Sequence, residues 1–354
     1  MLTTESNQAI TSQSVGYANH SQPTQTAPNR MGVAVGAGWV KATDGQQMVK
    51  ARSLVLETEP TDFWGANSKN WRVELMNSPI GQGVFYIGDK LDGCTGTKSL
   101  ANGEKGNFYP LLAVAAVAQL LPKDQSNRDQ TVELACSITA QAMKGQLTSL
   151  KGHHLLNVNG ANVQLNITRV VAQPEGLGTC AQIAHLQAVK GAQPASFAVL
   201  DMGFANTTIT GLDEENTLLG FHSTTPGVAK LYETIAGRLN TNGHAATVEE
   251  VRLGVETPNG ATFLLKGHGS ANFEDIYYSE LERWFDARMS AISTGAQNIL
   301  DKAQHTFVAG GGGQLPGVKG LAAKRGYGVA TDPQEKEVQG LYLVVNQRSV
   351  GNVM

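Results

Sequence analysis

Two stretches decide how this chain reads. The first is Met31-Gly32-Val33-Ala34-Val35-Gly36-Ala37-Gly38-Trp39-Val40-Lys41. The second, about half a chain later, is Phe197-Ala198-Val199-Leu200-Asp201-Met202-Gly203-Phe204-Ala205-Asn206-Thr207-Thr208-Ile209. Each reads as an apolar strand, a tight turn of Gly and small residues, and a returning strand. Such a tip brings backbone N–H groups close to an anion, because no bulky side chain blocks the approach. Two tips facing each other would grip a polyphosphate from both sides. An acid, Asp201, stands at the foot of the second turn, whereas the matching position of the first is Ala34.

Around these stretches the chain has 354 residues, enough for two domains or one large bilobal body. It is 41% apolar and 16% charged, a globular composition, and its 40 glycines imply many tight turns. A net charge of −3 gives no basic field to hold bare nucleic acid, so any contact with DNA is expected to run through an adaptor. Cys94, Cys136 and Cys180 are few and widely spaced, and read as reduced thiols of a cytoplasmic protein. The longest apolar stretch, Leu111 to Leu121, is too short to cross a membrane, and the polar N-terminus does not read as a secretion signal. Residues 1–30 are rich in Ser, Thr, Gln and Asn and are expected to form a disordered arm.

The patterning predicts strands at Val33–Ala42, Lys50–Leu56, Trp71–Met76 and Gly83–Ile87. A buried helix over Asn107–Leu121 follows, stopped by Pro122. Strands at Val132–Ile138 and Val163–Val171 precede a helix at Leu177–Val189. The second half repeats the scheme: strands to Ser223, a helix at Val228–Leu239, a long amphipathic helix at Asn272–Ala291 and a strand at His305–Ala309. Gly340–Val345 reads as a last strand. The order describes a duplicated α/β architecture.

A third glycine-rich element, Val308-Ala309-Gly310-Gly311-Gly312-Gly313, follows a strand. Taken together and in this order, the three elements resemble the actin-like ATPase superfamily, closest to the bacterial plasmid-segregation actins. The first hairpin of that family reads Asp-x-Gly-(small)-x-x-x-Lys; Gly36, Ala37, Gly38 and Lys41 match it, and Ala34 stands where the acid is expected. Asp201 and Gly203, with Phe204 and Ala205 at the tip, match the second hairpin. Val308 and Gly310, Gly311 and Gly312 match the adenosine loop. Pro174-Glu175 matches a Pro-Glu pair that orients the attacking water, although Glu175 alone reads equally well as a loop carboxylate.

The resemblance implies a duplicated actin-like (RNase H-like) two-lobed fold with ATP or ADP in the interlobe cleft. It places the first lobe at about residues 31–190 and the second at 191–325, with 326–354 returning to the first. The hairpins and Lys41 would hold the phosphates, and Asp201 would hold Mg²⁺ through its waters. Glu175 would position the nucleophilic water. The implied function is a filament of head-to-tail subunits, moving plasmid DNA through a DNA-binding adaptor or serving as a cytoskeletal element. A small-molecule kinase of the same fold, or a nucleotide-bound scaffold that does not hydrolyse, are the alternatives. Ala34, whether introduced or natural, is expected to spare nucleotide binding and to weaken hydrolysis by ~10²-fold.

Two other motifs are set aside. Gly93-Cys94-Thr95-Gly96-Thr97-Lys98-Ser99 departs from a P-loop because Thr97 separates Gly from Lys, and it reads as a surface loop. His153-His154 has no ligand partners at metal spacing and reads as a polar turn.

Overall fold

The computed structural model describes residues 27–57, 70–91, 94–100, 105–122, 129–139, 143–256, 263–265 and 271–347. Nearly all of the N-terminal arm lies outside them. The first half opens with β1 (Asn29–Val35), β2 (Trp39–Thr43), β3 (Met48–Arg52), β4 (Leu54–Leu56), β5 (Trp71–Asn77), β6 (Gly83–Ile87) and β7 (Lys98–Ser99). It continues through α1 (Lys105–Leu120), β8 (Gln130–Ile138), α2 (Lys144–Thr148), β9 (Gly152–Val158), β10 (Ala161–Pro174) and α3 (Leu177–Val189). The second half runs β11 (Phe197–Met202), β12 (Thr207–Leu212), β13 (Leu218–Thr224), α4 (Ala229–Thr241), α5 (Val248–Val255) and α6 (Glu274–Lys302). It ends with β14 (His305–Ala309), α7 (Val318–Ala323), β15 (Gly328–Val329) and α8 (Lys336–Asn346).

The duplication is visible in the sheets. One has the order β3-β2-β1-β8-β10-β9-β5-β6-β4-β7, the other β13-β12-β11-β14-β15. The run β3-β2-β1-β8-β10 repeats in the second sheet with the same senses: two antiparallel pairs, then two parallel ones. The register repeats as well. Ala34 pairs with Lys41 in the first hairpin, and Asp201 pairs with Thr208 in the second.

Alternation along β1 sends Met31, Val33 and Val35 into a core under α1. In the second sheet Ala198, Leu200 and Met202 face a separate core built on α4 and α6. On the opposite faces each lobe is covered by a helix that the other lobe supplies. Leu177, Cys180 and Ile183 of α3, which leaves β10, pack on Phe197, Val199 and Leu212 of the second sheet. Val338, Leu341, Val344 and Val345 of α8, which leaves β15, pack on Ala34 and Ala135 of the first.

Four readings of the sequence change. Gly340–Val345 is not a strand but part of α8, because its buried residues recur at helical spacing and close against α3. His153-His154 is not a turn but the start of β9, and His154 is buried between Ser78 and the Leu150 carbonyl. The described part of Gly93–Ser99 is less of a loop than expected: Lys98–Ser99 forms an edge strand on β4. The long helix extends to Lys302.

The two exchanged helices cross at glycine. A Cβ on Gly340 would sit 1.6 Å from the Gly178 carbonyl oxygen, and one on Gly178 would sit 2.2 Å from that of Glu337. Both contacts are with backbone, which cannot swing aside. Gly340→Ala is therefore expected to destabilise the fold by about 1–3 kcal/mol. Urea unfolding checks this, and a wild-type midpoint would show that the crossing tolerates a methyl.

Candidate functional site

The hairpin tips meet. A Cβ on Gly38 would lie 3.1 Å from Phe204 Cβ, and Phe204 packs against the cores of both lobes. Each tip is held from behind through its carbonyls. Ser53 donates its hydroxyl to the Gly36 carbonyl (2.7 Å) and its N–H to that of Gly38 (3.1 Å). Gly227, Val228 and Ala229, leading into α4, donate to the carbonyls of Ala205, Gly203 and Phe204 at 2.6, 3.0 and 2.9 Å. Among the described residues no protein acceptor meets the N–H groups of Ala37, Gly38, Phe204 or Ala205. These four residues line one cleft of about 350 Å³.

The third element closes the same cleft. Gly310 has φ +77°, and a Cβ there would fall 2.2 Å from Asp201 Oδ1. Only glycine lets this turn lie against the carboxylate. Gly310 also donates to the Pro333 carbonyl, which ties the approach to α8 to the cleft.

The sequence-derived residues Gly36, Ala37, Gly38, Lys41, Glu175, Asp201, Gly203, Phe204, Ala205, Gly310 and Gly311 all line this one cleft. Gly312 does not. It is buried behind the wall against Met202 and Val228. Glu175 follows β10, its N–H donating to the Ile138 carbonyl and its carbonyl accepting from Thr210 Oγ1. Asp201 is largely buried.

Lys41 is partly buried, and desolvation pulls its pKa down against the opposing pull of Asp201. Its Nζ donates to the Gln334 carbonyl at 2.5 Å. A desolvated ammonium held by a neutral carbonyl suits an anion arriving in the cleft. Lys50, stacked 4.3 Å over Trp39, bonds the Gln334 side chain. Between the two halves of the chain Arg52 pairs with Glu249 at 3.3 Å.

Sequence reasoning missed Trp39, Ser137, Gln334, Glu256 and, above all, Glu337. Glu337 sits in the first turn of α8 and accepts from the N–H of Gly176 (3.2 Å), the N–H of Thr179 (2.8 Å) and Thr179 Oγ1 (3.2 Å). It thereby caps α3, whose own N-cap is a glycine. Burial pushes its carboxyl up to about 8, with Asp201 and Glu175 adding to the rise and the two N–H donors opposing it. The signal was the stripe Val338, Leu341, Val345 at helical spacing, which puts a charged residue at the head of a buried helix.

The cleft suits a nucleotide with its divalent cation. It offers tip N–H groups, a partly buried lysine and carboxylates from both halves of the chain. Thr208, the cross-strand partner of Asp201, has a buried Oγ1 with no hydrogen-bond partner among the described residues. Among the described residues no three His, Cys, Asp or Glu side chains converge on one point as direct metal ligands. The carboxylates therefore suit a cation held through its waters and the phosphates.

Comparison with known proteins bears on the fold. Residues 32–178 match the family described as the N-terminal domain of actin-like proteins. The described residues carry the actin-like two-lobed fold. It is similar to the subunit of a 15-stranded ParM filament from Clostridium botulinum (14% identity, 90% of this chain and 99% of that one, TM-score 0.72). It is also similar to an archaeal actin homologue (17%, 90% and 99%, 0.69) and to the actin-like protein Alp7A (14%, 91% and 96%, 0.68). No curated protein matches the sequence.

The Glu337 shift has a stability consequence. A carboxyl titrating at about 8 when folded and at the usual 4.5 when unfolded binds its proton more tightly in the native state. Its contribution is fully present below the unfolded pKa and is lost as pH rises through the folded one. Ligand-free wild-type protein should lose stability relative to Glu337→Gln between about pH 5 and 8. Urea midpoints across that range check it, and parallel profiles would contradict it.

Proposed function

We propose that this chain binds ATP with Mg²⁺ in the interlobe cleft and assembles head-to-tail into filaments. The observation that carries the reading is the contact between the two hairpin tips, Gly38 against Phe204, beside a partly buried Lys41. The tip N–H groups of both lobes hold the phosphate oxygens, and Lys41 adds a point charge. Mg²⁺, when bound, neutralises charge on the terminal phosphates. Asp201 orients the waters of that cation. Glu175, at the end of β10, orients the attacking water. Gly310 and Gly311 receive the adenosine. The lobes divide near residues 190 and 325.

Assembly follows by analogy. The ParM structure from Clostridium botulinum and an Alp12 structure (16% identity, TM-score 0.59) are both described as filaments. A head-to-tail contact does not close on itself and so propagates. The cargo reading is plasmid DNA reached through a DNA-binding adaptor, or a cytoskeletal role. The net charge of −3 supports the adaptor over direct binding. No helix among the described residues is long and apolar enough to cross a membrane, which supports a cytoplasmic place.

Electron microscopy of the purified chain should show filaments with ATP and Mg²⁺ and none without nucleotide. A monodisperse monomer at high concentration in both conditions overturns the assembly reading. Lys41→Met should weaken ATP binding about 10- to 100-fold, the equivalent of the roughly 1.5–3 kcal/mol of a charged hydrogen bond. The ligand-free fold should be no less stable, because the substitution removes a partly buried charge. Isothermal titration and thermal melts check the pair, and an unchanged affinity would remove Lys41 from the phosphate site.

A further inference from the structure

We propose that Glu337 takes the place of the acid missing at Ala34, ordering the water shell of the nucleotide-bound cation from the first turn of α8 rather than from β1. The inference rests on the nucleotide reading above.

The side-chain directions carry it. Met31, Val33 and Val35 face the core under α1, so Ala34 faces the opposite side, where it packs with Val338 and Leu341. A carboxylate at position 34 would be aimed at the head of α8. Glu337 stands at that head and lines the same cleft as Ala34, Asp201 and Glu175. The first lobe has lost an acid on the strand and carries one on the helix that covers the strand.

The carboxylate is also held as an outer-shell ligand should be. Its Oε2 accepts two hydrogen bonds from Thr179, and its Oε1 accepts one from Gly176. A carboxylate offers about four acceptor positions. The carboxylate is thus fixed in orientation, with Oε1 retaining capacity for one more donor, such as a metal-bound water. Glu175, Asp201 and Glu337 share one cleft with the ammonium of Lys41.

A helix cap alone would explain the three hydrogen bonds but does not need the charge. Glu337→Gln keeps an acceptor for Thr179 and removes the charge. The test titrates the full chain with a fluorescent ATP analogue in Mg²⁺ and in EDTA and compares the two affinities. Wild-type protein should bind more tightly with Mg²⁺. In Glu337→Gln that tightening, the ratio of the two affinities, should shrink at least ~10-fold, the usual cost of losing an outer-shell partner. Ala34→Asp in the Glu337→Gln background should restore it. Ala34→Asp alone should add none, because the position is already served.

A wild-type Mg²⁺ effect in Glu337→Gln overturns the proposal and leaves a helix cap. A ~10-fold gain from Ala34→Asp alone overturns it as well. That second arm decides the matter if Glu337→Gln does not fold. Wild-type protein that binds the analogue in neither condition contradicts the nucleotide reading instead.

Discussion

The structure depends on the exchange of α3 and α8 between the lobes and on their crossing at Gly178 and Gly340. Each helix leaves one sheet and buries its apolar face on the other. The lobes are therefore joined by two covered faces rather than by a flexible tether. The crossing brings the heads of both helices to the floor of one cleft. Glu337, from the head of α8, bonds the head of α3 there. The turn that carries Glu175 immediately precedes α3, so the carboxylate that caps the helix also fixes that turn.

The electrostatics follow from this geometry. The cleft floor holds carboxylates from three segments, and its wall holds a lysine whose ammonium is disfavoured by burial. Ligand-free, the charged forms of Glu337 and Lys41 are both penalised. On the proposed reading a magnesium nucleotide would relieve both, its phosphates answering Lys41 and the tip N–H groups and its cation answering the acids. Such binding would couple to interlobe geometry, since the groups concerned come from both sheets.

Much of this was legible in the sequence. The two hairpins announce themselves because each turns through glycine between apolar strands, Gly38 leaving room for Phe204, and Asp201 follows from their repeated pattern. The paired register of Ala34 with Lys41 and of Asp201 with Thr208 bears the repeat out. What was misread has a physical cause. Residues 340–345, Gly-Leu-Tyr-Leu-Val-Val, have the apolar, β-branched character of a strand. Tertiary packing against α3 and β1 makes them helical. With α8 read as a strand, Glu337 had no reason to approach Ala34. Gly312 fits the glycine motif yet supports the wall from behind, a distinction between neighbours that spacing does not draw. His154 read as a turn residue because its partners, Ser78 and the Leu150 carbonyl, come from other segments.

The central claim is that two hairpins from related lobes close on one triphosphate. A crystal or electron-microscopy structure of the full chain with an ATP analogue and Mg²⁺ tests it most directly. The account predicts phosphate oxygens within hydrogen-bond distance of the N–H groups at Ala37, Gly38, Phe204 and Ala205, with the cation on the Asp201 side. Nucleotide bound elsewhere, or touching one hairpin and not the other, would contradict it.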